Sequence, residues 1–285
     1  MKKLFIILLM LPLFTQAQNK DYRIYAVAKQ QEITVSQLVS ELKQADVIFF
    51  GEEHQDSIAH LLELALLKGL HQQQPKVTLS MEMFQTDVQP ILNEYLQDLI
   101  SEKNMIQEAR AWSNYKDYSP LVAYAKKQGI PILAANAPSR YTNRVTRLGL
   151  QSLSQLSEDA KAWLAPLPID TLTGAYYEKF VSLLGGHSSL GSFQLYQSQN
   201  LWDATMAWQL ATHKKLQQQQ QILHINGKFH SDERLGTYLQ LQRYAPQYKL
   251  QTISCMPVEA YPPPAWQQWQ SIADYIILTQ SATID

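Results

Sequence analysis

Glu52, Glu53 and His54 follow directly on the apolar run Val47-Ile48-Phe49-Phe50-Gly51, and a run of that kind reads as a buried strand. Glu82 follows a second run, Val77-Thr78-Leu79-Ser80-Met81. Asn136 closes a third, from Ile130 to Ala135, and Gly227-Lys228-Phe229-His230 lies just beyond a fourth, from Gln221 to Ile225. Carboxylates, imidazoles and an amide thus recur where apolar runs stop. Period-2 alternation turns one of Glu52 and Glu53 into a cleft and the other away while the strand continues. Together Glu52, His54, Glu82 and His230 suit general acid–base catalysis. His54, Glu82 and His230 equally offer the nitrogen and oxygen ligands of a divalent metal. The blander alternatives are that His54 caps the next helix and that Glu82 pairs with an arginine. His60, with Glu63 at i+3, reads as a surface pair as readily as a ligand. No serine or cysteine occupies an elbow motif, so hydrolysis here needs an activated water. Cys255 is the only cysteine, which excludes an internal disulfide and a cysteine-based metal cluster.

The elements that must position these groups alternate along the chain. After the first strand, Ile58, Leu61, Leu62, Ala65, Leu66 and Leu70 fall at helical spacing over 56–70. Asp87 to Ile100 is expected to be helical, and a further helix runs to Lys127 and stops at Gly129, a natural C′ residue. Residues 138–218 read as a helical insert after the third strand, with Gly185, Gly186 and Gly191 marking a loop in it. A helix over 232–243, a fifth strand from Leu250 to Met256 and a last edge strand from Ile276 to Leu278 complete the pattern. The fold class is therefore α/β, with a mainly parallel sheet flanked by helices and right-handed crossovers. Ligands of such sheets gather beyond the carboxyl ends of the strands, where the polar residues named above all fall.

Lys2 and Lys3 precede the apolar stretch from Leu4 to Phe14, and Thr15-Gln16-Ala17 supplies a small-residue cleavage site. The expectation is a signal peptide over 1–17 and a single exported domain over 18–285, soluble, periplasmic and not a lipoprotein. Without Lys2 and Lys3 the chain carries 22 basic against 25 acidic residues, net −3. That balance argues against a nucleic-acid partner, which needs a basic stripe.

The motifs taken in order resemble the ChaN family of haem-binding uptake proteins. They are Gly51-Glu-Glu-His54 with His60, Met81-Glu82-Met83-Phe84, Asn136-Ala137-Pro138, Gln199-Asn-Leu-Trp202-Asp203-Ala-Thr-Met206-Ala207 and Gly227-Lys-Phe-His230. Each is weak alone; the ordered set, spread over about residues 40–255, is specific. The broader superfamily includes TraB and Tiki proteins and is related to erythromycin esterases. Its shared Gly-x-x-His, glutamate and late Gly-x-x-His correspond here to Gly51 with His54, to Glu82, and to Gly227 with His230. The resemblance implies an extracytoplasmic protein that binds haem or another iron compound in iron uptake, with an outer-membrane haem receptor and a homodimer as candidate partners. Hydrolysis in the Glu52/His54/Glu82/His230 cleft is the alternative. Familiar members are often lipoproteins, and this chain lacks a lipobox cysteine.

Haem narrows the remaining candidates. Tyrosine and histidine both ligate haem iron, and Tyr141, Tyr176, Tyr177, Tyr196 and His187 lie in the helical insert. Tyr141 leads because Arg140, Arg144 and Arg147 surround it on one helical face, and guanidinium pairs well with carboxylates such as propionates. Asn136 lies at the same rim. Asp203, charged within an apolar helix, is expected to bond His54 or His230 and set its tautomer.

Overall fold

Alternation along the first apolar run decides the architecture. Ile48 and Phe50 pack into one cluster, with Leu62, Leu66 and Leu121, while Val47 and Phe49 pack into another, with Ala207, Leu210 and Leu241. A strand apolar on both sides is thus covered on both sides by helices. The computed structural model describes residues 21–185 and 190–280, and its strands form one eight-stranded sheet. They are β1 (Tyr22–Ala26), β2 (Gln31–Ile33), β3 (Val47–Glu52), β4 (Val77–Gln85), β5 (Ile132–Asn136), β6 (Gln221–Gly227), β7 (Leu250–Val258) and β8 (Tyr275–Gln280). The order is β2-β1-β8-β7-β3-β6-β4-β5. Every pair from β8 across to β5 is parallel, as expected of strands joined through helices.

The hairpin of β1 and β2 is an addition that the alternation from residue 45 onward does not announce. β1 pairs antiparallel with β8, so β8 is an inner strand and not an edge. The edges are the three-residue β2 and the five-residue β5, short enough to offer little backbone for unwanted pairing.

Asp56 caps the helix Ser57–Gln73 by accepting from Ile58 N and Ala59 N. Its buried face is Ala59, His60, Leu62, Glu63, Leu66, Leu67 and Leu70, while Leu61 is 64% exposed. The face is rotated from the one that Ile58, Leu61 and Ala65 suggest. That rotation turns His60 and Glu63 inward, against their reading as a surface pair. Tyr115–Gln128 ends at Gly129 with φ 67°, the left-handed cap expected there.

The insert is helical over Ser139–Leu148, Ala175–Leu183 and Leu190–Leu216, with shorter turns between. Gly191 belongs to the long helix and not to a loop, because the helix begins at Leu190. The helix expected from Asp232 is split into the 3-10 turn Asp232–Arg234 and the helix Gly236–Tyr244, with φ positive at Glu233, Arg234 and Gly236. A Cβ on Gly236 would stand 2.9 Å from Asp203 Oδ1 and 2.7 Å from His230 O, so the break lets the backbone close on the site.

Candidate functional site

Glu52 keeps the parity of Ile48 and Phe50, so its side chain falls on the face covered by Ser57–Gln73 and Tyr115–Gln128. It is 1% exposed. Its Oε1 accepts the Tyr118 hydroxyl at 2.6 Å and His54 Nδ1 at 2.9 Å. Its Oε2 stands 3.1 Å from His60 Nε2, without the alignment of a hydrogen bond. Burial alone would raise the Glu52 carboxyl. The hydrogen bond from His54 and the close His60 imidazole outweigh burial and hold it well below the usual range. Glu63, also 1% exposed, has no hydrogen-bond partner on either oxygen. Burial and then the facing Glu52 charge push its carboxyl well above the usual range. One ligand atom each of Glu52, His60 and Glu63 lie within 4.8 Å of one another.

Glu82 follows the parity of Thr78 and Ser80, whose hydroxyls meet His213 and His224. That places it on the opposite face, beneath Leu190–Leu216. Gly227 N donates to its Oε2 at 2.7 Å, and its Oε1 lies 3.5 Å from His230 Nε2. His230 Nδ1 donates to Asp203 Oδ1 at 2.7 Å; Thr237 and Tyr176 donate to Asp203 Oδ1 and Oδ2 at 2.8 and 2.5 Å. Burial would lower the His230 pKa, but Glu82 and Asp203 outweigh it and hold it up at about 10. Burial likewise opposes ionisation of Glu82, and His230, then His54 and the Gly227 N–H, bring its pKa below the ordinary value. His230 is thus an imidazolium between carboxylates, fixed in orientation by Asp203.

His54 joins the two halves across the rim. Its side chain is 40% exposed, its ring meets Trp112 edge-on at 5.0 Å, and Asn114 Nδ2 donates to its carbonyl at 3.0 Å. Burial lowers its pKa less than the Glu52 hydrogen bond and the Glu82 charge raise it. A Cβ on Gly227 would lie 2.8 Å from His54 Nε2 and 3.7 Å from Glu82 Oε2, so both groups converge on one point of backbone. Glu53 turns outward to Lys228 at 2.6 Å. An accessible imidazole backed by a carboxylate, beside a buried imidazolium–carboxylate pair, can move protons at the rim.

The model of one family, haem-binding uptake, Tiki superfamily, ChaN, matches residues 38–241. The chain belongs to this family. Its fold agrees: ChaN of Campylobacter jejuni, described for cofacial haem binding, superposes with a TM-score of 0.71 at 19% identity, over 92% of this chain and 98% of that one. The type III effector HopBA1 superposes with a TM-score of 0.51 at 12% identity, over 87% and 94%. Among curated proteins, the chloroplastic RETICULATA-RELATED 5 of Arabidopsis thaliana is 24% identical over 122 residues, 40% of this chain and 17% of that protein. The match therefore spans less than a fifth of that relative's length.

Against this ChaN frame, several expected residues lie apart from the rim cluster. Tyr141 is buried among Val145, Leu153 and Leu201, with the Arg140 guanidinium 4.5 Å from its ring centroid. Arg140 pairs with Asp87, and Arg144 donates to Ser152 O at 3.1 Å and Gln155 at 2.6 Å, so both guanidiniums already serve internal partners. Asn136 Oδ1 accepts from Ala137 N at 2.9 Å, closing its own strand end. Tyr196 donates to Leu172 O at 2.5 Å, and Tyr176 is committed to Asp203. His187 lies outside the described residues.

The sequence reading did not single out Tyr118, Trp112 or Thr237, or the inward Glu63. Tyr118 carried a signal in hindsight: it shares the buried face of Tyr115–Gln128 with Leu121, Val122 and Ala125, where a phenol must find an acceptor.

Proposed function

We propose that the chain binds haem outside the cytoplasm, in iron uptake. Membership of the family supports the ligand. One feature of this chain fits it. Tyr177, half-buried, packs against Phe193 and Tyr196 at 6.4 and 5.0 Å, and Phe193 remains 40% exposed. An aromatic ledge beside a partly open phenol suits the face of a planar macrocycle and an oxygen ligand. Haem held there would bring an iron that a tyrosine oxygen can ligate. Phe193 would lie against the ring, and Tyr177 would hold the metal. The ledge adjoins the rim through Tyr176, which stacks with Tyr196 and Phe229 and donates to Asp203. Lys2, Lys3 and the apolar stretch to Phe14 support export, and an outer-membrane haem receptor is the partner such a route needs. Among the described residues, no helix is long and apolar enough to cross a membrane. Purification from the iron-starved native host tests the reading: haem should co-purify with the exported chain, and an iron-free, haem-free chain would refute it.

Hydrolysis is a second reading, favoured by one observation: His54 is accessible beside an imidazole already fixed by Asp203 and Glu82. On that reading an activated water attacks the substrate and His54→Ala abolishes turnover in a folded protein.

A further inference from the structure

Behind the rim, Glu52, His60 and Glu63 form a group that the haem reading does not use. Glu63 is almost wholly buried, and neither of its oxygens has a hydrogen-bond partner. Glu52 Oε2 and His60 Nε2 are also unpartnered, although 3.1 Å apart. Two carboxylates facing one another cannot bond directly; a proton or a cation must stand between them. The 3.1 Å between Glu52 Oε2 and His60 Nε2, without hydrogen-bond alignment, and a span of no more than 4.8 Å across the three ligand atoms leave room for a cation. Ligands about 2.0–2.1 Å from a tetrahedral metal stand roughly 3.3 Å from each other. The other oxygen of Glu52 is fixed by Tyr118 and His54, which aims Oε2 at the group. Such outer hydrogen bonds commonly orient metal-binding carboxylates.

We propose that Glu52, His60 and Glu63 hold a divalent first-row cation of the Zn²⁺ or Mn²⁺ type. The donor set is carboxylate oxygens with a neutral imidazole, which suits these ions better than a thiolate-seeking one. The paired negative charges match the ion's charge, and burial strengthens the match by excluding water. Through Glu52 the cation also fixes His54, coupling a buried structural ion to the accessible rim imidazole. This set is distinct from His54, Glu82 and His230, the ligands suggested by the strand-end pattern.

The test uses the full chain refolded with Zn²⁺ or Mn²⁺ alone, then freed of excess ion and analysed for bound metal. About one equivalent should remain on the wild type and on Glu82→Gln, and the melting temperature should rise with added ion. Glu63→Gln, which keeps shape and hydrogen-bonding capacity, should lose at least ten-fold in metal content and no longer respond to the ion. Should that variant fail to fold, X-ray absorption of the loaded wild type decides: one imidazole among oxygen donors supports the site. More than one imidazole would place the metal at His54 and His230 and overturn it. A wild type that binds neither ion and shows no thermal shift would mean that the group holds only a proton. Metal lost in Glu82→Gln but kept in Glu63→Gln would also refute the proposal.

Discussion

His54 Nε2 occupies the space a side chain on Gly227 would need, 2.8 Å from the position of its Cβ. The glycine is what allows the imidazole from the end of β3 to lie over the end of β6, above Glu82. Gly227→Ala is therefore expected to displace the His54 ring and break its contact with Glu52. The ring is at the rim and can move, so the loss of stability should stay near about 1 kcal/mol, at the low end for overpacking. Gly51→Ala should cost more, since its Cβ would meet the Lys228 Cα, main chain that cannot swing aside, at 2.9 Å. Thermal melts of the two variants, with the His54 ring signals followed by NMR, check the order.

Asp203 holds His230 as Glu52 holds His54, but without exposure to water. Asp203→Asn removes the charge that His230, Tyr176 and Thr237 share. The His230 pKa should fall, and stability should drop by about 3 kcal/mol, the scale for breaking a buried ion pair. Tyr176→Phe, which leaves the charge in place, should cost about 1 kcal/mol. Denaturant unfolding and histidine NMR titration measure both.

Two buried histidines give stability opposite pH dependences. The His230 pKa is raised from 6.5 to about 10, so its contribution is complete below pH 6.5 and is lost as pH rises toward 10. His224, buried in β6 between Ser80 and the Phe49 ring, is lowered from 6.5 to about 3. Its contribution is complete above pH 6.5 and is lost as pH falls toward 3. Stability should peak near neutrality. His224→Gln should flatten the acid limb between pH 6.5 and the carboxylate range and leave the alkaline limb unchanged, as urea midpoints across pH would show.

The strand ends were legible because strands of period 2 end at one edge: Glu52, Glu82 and His230 could be placed there from the apolar runs alone, while the split of Glu52 and Glu82 between the two faces of the sheet and the local bond of Asn136 could not. Asp203 was legible as a charge inside an apolar helix. What misled was helical phase. In Ser57–Gln73 the apolar positions Leu61 and Ala65 lie off the buried face, so His60 and Glu63 read as a surface pair as readily as ligands until tertiary packing fixed the rotation. The partners of Arg140 and Arg144 beside Tyr141 were not legible either, since Asp87, Ser152 and Gln155 are distant in pattern though near in space. The β1–β2 hairpin was not apparent because a three-residue strand has too little length to show a period.

Haem binding itself is tested most directly by absorbance during titration of the purified exported chain with haemin, for wild type and Tyr177→Phe. The account predicts a Soret shift that saturates at a fixed stoichiometry, and a variant that still binds but with an altered spectrum, because the Tyr177 oxygen is gone while Phe193 remains. A wild-type titration that stays linear, with the spectrum of free haemin throughout, would contradict it.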